Sequence, residues 1–134
     1  MNAQVIDWKK STPNQYTARA LIQGDVVQVG TAGTDKDHLH FVVDLDGNSK
    51  TSDDQIEGVF NNEFGNLHET IHVGSLVTIC GDYITSNVKT ARYKPSPQGA
   101  IIHWLHYNPG NRDGGKHKDG FVLINGKAIG ANPN

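Results

Sequence analysis

Cysteine is nearly missing from this sequence. One residue, Cys80, stands in 134, which excludes an internal disulfide and any cysteine-rich zinc centre while leaving the redox compartment open. An excess of one charge is missing too. Twelve Lys and Arg against fourteen Asp and Glu leave a formal charge of −2, so no global positive field draws in nucleic acid or an anionic membrane, and any anion site must be local. No apolar run approaches the about 18 residues a transmembrane helix needs, so no membrane span is expected. Residues 1–8 lack a basic stretch followed by an apolar one and do not read as a signal peptide. The chain is expected to be cytoplasmic if complete, and periplasmic or secreted if a leader has been replaced by Met1. Internal repeats and low-complexity tracts are also lacking.

At 14.6 kDa the chain is one domain long and buries about two-thirds of its unfolded surface on folding, enough for one core. A hydrophobic fraction of 36% together with 15 Gly is near the globular norm and argues against global disorder. We read residues 1–134 as a single domain, with an N-terminal helix or arm over 1–17 and a β-barrel over 18–130.

Apolar residues Val5, Ile6 and Trp8 predict a short helix over 3–10, ended by the polar, proline-containing stretch 11–14. Residues 18–29 predict a strand bent near Gly24. Residues 38–45 give the clearest strand, because Leu39, Phe41, Val43 and Leu45 alternate with His38, His40, Val42 and Asp44. From 48 to 65 no period is sustained, and a long loop is expected with at most a short strand near Val59. Val77, Ile79 and Tyr83 share one face of a strand reaching about residue 84. A proline-bearing loop over 87–99, a strand over 100–107, a glycine-rich loop over 108–120 and an Asn125-Gly126 hairpin complete the pattern. The expected fold is mainly β: a small five- to six-stranded OB-like barrel, of the oligonucleotide/oligosaccharide-binding type, with a short N-terminal helix.

Seven histidines are the oddity of composition, and they mark the candidate chemistry. Two-residue spacing puts His38 and His40 on one non-core face, a geometry a metal or phosphate could use, although exposed strand histidines need no function. His103 and His106 face opposite sides of a regular strand and line one pocket only if the strand ends or bulges near Leu105. The loop over 108–120 carries Arg112, Lys116, His117 and Lys118, cations suited to an anion, but it lacks Walker spacing. His68 and His72 flank Glu69 in a superficial metalloprotease pattern that fails for want of an apolar helical frame. Cys80 reads as buried packing rather than a nucleophile. Trp104 reads as closing the barrel, with base stacking as the other use.

Taken together, His38-x-x-Phe41, Val73-Gly-x-x-Val-x-x-x-Gly-Asp-Tyr83, Gly99-Ala-Ile-Ile-His-Trp-x-His106, Pro109, Lys116-His117, Gly120-Phe121 and Asn125-Gly-Lys127 resemble the bacterial domain-of-unknown-function family 3465 over about residues 18–130. Members of that family usually show His-Trp-Thr-His-x-Asp-Pro, whereas here Leu105 stands where they have Thr and Asn108 where they have Asp. They usually carry Arg-His ahead of a Gly-Trp pair, where this chain has Lys116-His117 and Phe121. The family's central His-Asn segment is matched only by Phe60-Asn-Asn62. The resemblance keeps His38, His103, His106 and His117 in place, and it implies an exported protein without implying an activity.

Two functional classes follow. In the first, His103, His106, His38 and His117 converge and hydrolyse a phosphodiester, by acid–base chemistry or with a divalent ion held by His103 and His106. Arg112, Lys116 and Lys118 then offset phosphate charge, and the activity is nuclease-like. In the second, the barrel binds single-stranded nucleic acid or another polyanion without cleaving it, stacking bases on Trp104 and Tyr107 and using the basic loops for phosphates. A structural, metal-binding exported domain is the blandest reading. The first is preferred, because a binding module has little use for four histidines in these segments.

Overall fold

Alternation builds the sheet. In the computed structural model, which describes residues 1–30, 34–48, 54–110 and 117–131, Val77, Ile79, Tyr83 and Thr85 of one strand turn inward while Thr78, Cys80, Asp82 and Ile84 turn outward. That strand, β4 (Leu76–Thr85), has long antiparallel neighbours because β1 (Thr17–Val29) runs beside it from Thr17 to Asp25 before bending away. Past the bend, β1 pairs with β2 (His38–Asp44), and the register slips between Val26 and Gln28. This slip is the bulge expected close to Gly24. β2 in turn pairs along its whole length with β3 (Gln55–Asn61).

Closure comes from β5 (Ala100–His103), which lies parallel to β3 and antiparallel to β4. The order β1-β2-β3-β5-β4 returns to β1, a closed five-stranded barrel with no free edge. β6 (Phe121–Ile124) and β7 (Lys127–Ile129) extend it as a hairpin beside β4. Helix α1 (Asn2–Ser11) packs Val5, Ile6 and Trp8 on the core, with the Trp8 ring 5.2 Å from Tyr83 and 5.9 Å from Tyr16. Short 3-10 turns at Asn62–Phe64 and Leu67–Glu69 bury Leu67 and leave His68 and His72 exposed, so that segment is no zinc-binding helix. Neither described helix nor turn is long and apolar enough to cross a membrane.

Three expectations need correction. Residues 55–61 form a full strand rather than loop, because Ile56, Gly58 and Phe60 face inward and are buried. The strand expected over 100–107 stops at His103, since Trp104 adopts φ 58° in the left-handed region, a conformation that ends a pleat. Cys80 is half-buried on the outward face of β4, not in the core.

Candidate active site

The pairing registers set a row of side chains across the outside of the barrel. Arg19 on β1 is opposite Asp82 on β4, and Asp82 is opposite His103 on β5. On the far side of β5, Val59 of β3 comes one residue past the last registered pair, and it is opposite His40 of β2. Arginine, carboxylate and two imidazoles are thus brought to one surface by backbone pairing alone.

The chain then doubles back over this row. After Trp104 turns it, Leu105 is buried in the core, and the returning segment is fastened by hydrogen bonds: Gly120 N–H donates to the His106 carbonyl at 2.7 Å, and the Asn108 side-chain Nδ2 donates to the His117 carbonyl at 2.7 Å. Asp119 Oδ1 accepts from the Asn108 N–H at 2.7 Å. His117 therefore lies over β4, where its Nδ1 donates to Asp82 Oδ2 at 2.5 Å. Its ring stacks on Trp104, centroids 4.1 Å apart and planes 15° apart, and meets His103 edge-on at 6.4 Å. Arg19 holds the other side: it reaches Asp82 Oδ1 at 3.2 Å, Cys80 Sγ at 3.3 Å and the carbonyls of Lys118 and Asp119. Such a guanidinium fixes a carboxylate and a loop rather than facing a ligand.

Of the four expected histidines, two converge. His103 and His117 face each other, whereas His106 is only 3% exposed. It is stacked on Phe64 at 3.7 Å and against Trp104 at 4.6 Å, and its Nδ1 donates to the Tyr107 carbonyl at 2.7 Å. It backs Trp104 from behind and is buried rather than open to the surface. Nor do His103 and His106 form a set of three metal-type ligands with any other described residue. His38 lies one outward position further along β2, facing Asp35 at 3.8 Å, outside this group. Two N–H bonds from His38 and Asp37 hold the Asp35 carboxyl below its usual range. The Trp104 ring packs on His117 and His106, and Tyr107 meets Phe64 at right angles at 5.3 Å. Lys118 is exposed beside the loop, while Arg112 and Lys116 lie outside the described residues.

A groove of about 510 Å³ runs from His103 along the outer face. Val59, Ile84 and Ile101 supply apolar surface from the strands, and Tyr93 and Pro95 come from the segment that crosses over them. His40 also lines it, with Nδ1 at 2.9 Å from Glu57 Oε2, and the Ser96 hydroxyl donates to Glu57 Oε1 at 2.9 Å. Asp82, Arg19 and Glu57 were not selected from the sequence, whereas His40 was singled out there only with His38. An acid in the outward register of a strongly alternating strand, as Asp82 is between Gly81 and Tyr83, was the signal available.

Electrostatics distinguish the two facing rings. Burial pushes the His103 imidazole below its ordinary range, and charge on His117 or His106 adds to the lowering, while Asp82 opposes it. His103 is consequently a neutral imidazole around pH 7. His117 has its Nδ1 directed at a carboxylate, which fixes the ring orientation. Neutral His103, the oriented His117 ring and the adjoining groove are thus brought side by side. Compared with known proteins, the sequence matches no family profile and no curated protein.

Proposed function

We propose that this protein hydrolyses phosphodiesters by paired histidine catalysis, a nuclease-like activity carried on an OB-like barrel, with His103 and His117 as its centre. The observation that carries the reading is the Asp82-bound His117 ring facing His103 at 6.4 Å. Rings whose centroids lie 6.4 Å apart can act on one phosphate when each presents a nitrogen to the same side. Neutral His103 takes a proton from the attacking water as the new P–O bond forms. His117 in its imidazolium form gives its Nε2 proton to the leaving oxygen as the old P–O bond breaks, and the two rings reset through solvent. Lys118 is the described loop cation suited to the phosphate's negative charge.

The non-catalytic alternative needs Trp104 and Tyr107 as open stacking platforms, and their internal contacts count against it. The test is incubation of the folded protein with labelled DNA and RNA oligonucleotides, with and without chelator. Strand cleavage lost in His103→Ala and His117→Ala is the expected result. Intact strands with a salt-sensitive shift in mobility would replace the hydrolase by the binding module, and intact strands without a shift would remove both.

A further inference from the structure

We infer that the turn end of the β2–β3 hairpin is a binding site for a hard divalent cation, calcium above all, formed by Asp44, Asp46 and Asp54. Asp44 ends β2 and Asp54 immediately precedes β3, so the two flank the connection between the strands, and the Leu45 N–H donates to the Asp54 carbonyl at 2.9 Å to hold its base together. Asp44 and Asp54 are each only 3% exposed. A carboxylate taken out of water at that depth costs several kcal/mol unless hydrogen bonds or a cation replace its hydration. For Asp44 the replacement is incomplete, because its Oδ1 is buried without a hydrogen-bond partner. Among the charged groups acting on it, Asp46 and Asp25 are both negative. A buried carboxylate oxygen without a partner, with Asp46 and Asp25 as its charged neighbours, is the kind of group a bound cation satisfies.

The geometry agrees. One carboxylate oxygen from each of Asp44, Asp46 and Asp54 lies within 4.8 Å of the others, and ligands on opposite sides of a calcium ion, at about 2.4 Å each, are about 4.8 Å apart. The three can therefore share one coordination sphere. Asp46 Oδ1 already accepts the Asn48 N–H at 2.7 Å, which orients its carboxylate in the way calcium loops orient theirs. Oxygen donors alone, with neither imidazole nor thiolate among them, exclude a preference for zinc or copper. Calcium accepts six to eight irregularly placed oxygens, waters included, whereas magnesium demands a near-octahedral set, and a hairpin turn supplies the former more readily. The site stands at the other end of β2 from His40 and is independent of the proposed hydrolase centre.

Titration calorimetry and thermal melting of the full chain, stripped with chelator and then supplied with calcium or magnesium chloride, test the inference. Calcium is expected to bind once per chain and to raise Tm, as any ligand of the folded state does. Asp44→Asn and Asp54→Asn are each expected to weaken binding at least tenfold. In chelator, Asp44→Asn is expected to melt no lower than the parent chain, because it removes a buried charge while keeping the shape, so lost binding cannot be ascribed to lost folding. No heat and no Tm change with calcium would overturn the site. So would a calcium response of equal size in both variants, or a response to magnesium alone.

Discussion

Asp82 accepts a hydrogen bond from Nδ1 of His117 at 2.5 Å, joining a residue of β4 to one that follows it by 35 positions in the chain. On the proposed hydrolase reading, the carboxylate acts through the ring it orients. On phosphodiester hydrolysis, His117→Ala is expected to lower kcat by about 10²–10⁴-fold. Asp82→Asn should act in the same direction, and the double variant should be no slower than His117→Ala alone, since both changes remove one unit. Steady-state rates for the three variants decide this; multiplicative losses would mean that Asp82 acts elsewhere. Loss of the partly exposed Arg19–Asp82 pair costs about 1 kcal/mol or less, so unfolding should not obscure the comparison.

His103 makes stability depend on pH in a direction that can be worked out. Its pKa in the folded protein is below the ordinary 6.5 because burial disfavours the imidazolium. Between those two values the unfolded chain binds the proton and the folded chain does not, so stability falls as pH drops below about 6.5 and levels off once the folded ring is protonated too. Above about pH 7 neither state is protonated and the effect vanishes. Urea denaturation from pH 8 to pH 5 should show this decline in the parent chain and a shallower one in His103→Gln. Parallel curves would show that His103 is hydrated like an ordinary surface imidazole. The same titration should remove hydrolysis on the acid side, as the base becomes protonated.

Much of the barrel was legible because β1, β2 and β4 carry clean alternation, and α1 has its apolar residues ahead of a proline stop. β3 was not legible, and Gly58 shows why. A side chain there would put its Cβ 2.5 Å from the Phe41 ring, so packing against β2 demands the residue that strand propensity disfavours. The convergence of His103 and His117 was legible from their histidine-bearing segments. What joins them was not, because Asp82 faces His103 only through the β4–β5 register, and register is a property of the folded sheet. The burial of His106 was not legible for the same reason: it depends on Phe64 arriving from a distant 3-10 turn.

Trp104 combines a left-handed backbone, a ring stacked between two imidazoles and a buried Nε1 with no hydrogen-bond partner. Replacing the indole by a smaller ring removes the unsatisfied donor and keeps an aromatic surface for His117. Trp104→Phe is therefore expected to change stability by less than about 1.5 kcal/mol, whereas Trp104→Ala should lose about 3–5 kcal/mol through the cavity it leaves. Chemical denaturation of both variants provides the comparison. An alanine variant as stable as the parent would show that the ring stack contributes nothing to the fold.

Gly120 is where the loop carrying His117 rejoins the barrel, and its environment leaves no room for a side chain. A Cβ there would lie 2.2 Å from the Trp104 carbonyl oxygen and 2.5 Å from that of Cys80. Both obstacles are backbone, so no rotamer change relieves them, and the Gly120 N–H bond to His106 prevents the segment from simply lifting away. Gly120→Ala must displace the returning chain, and with it the His117 ring from Asp82. The expected cost is about 2–4 kcal/mol in denaturant unfolding, together with a fall in kcat measured well below the variant's own Tm. Gly126→Ala serves as the comparison, because that position has a positive φ but open space around it. It should lose about 1–2 kcal/mol from strain alone and leave kcat unchanged. Equal effects of the two substitutions on kcat would break the link between the close approach at Gly120 and the placement of His117.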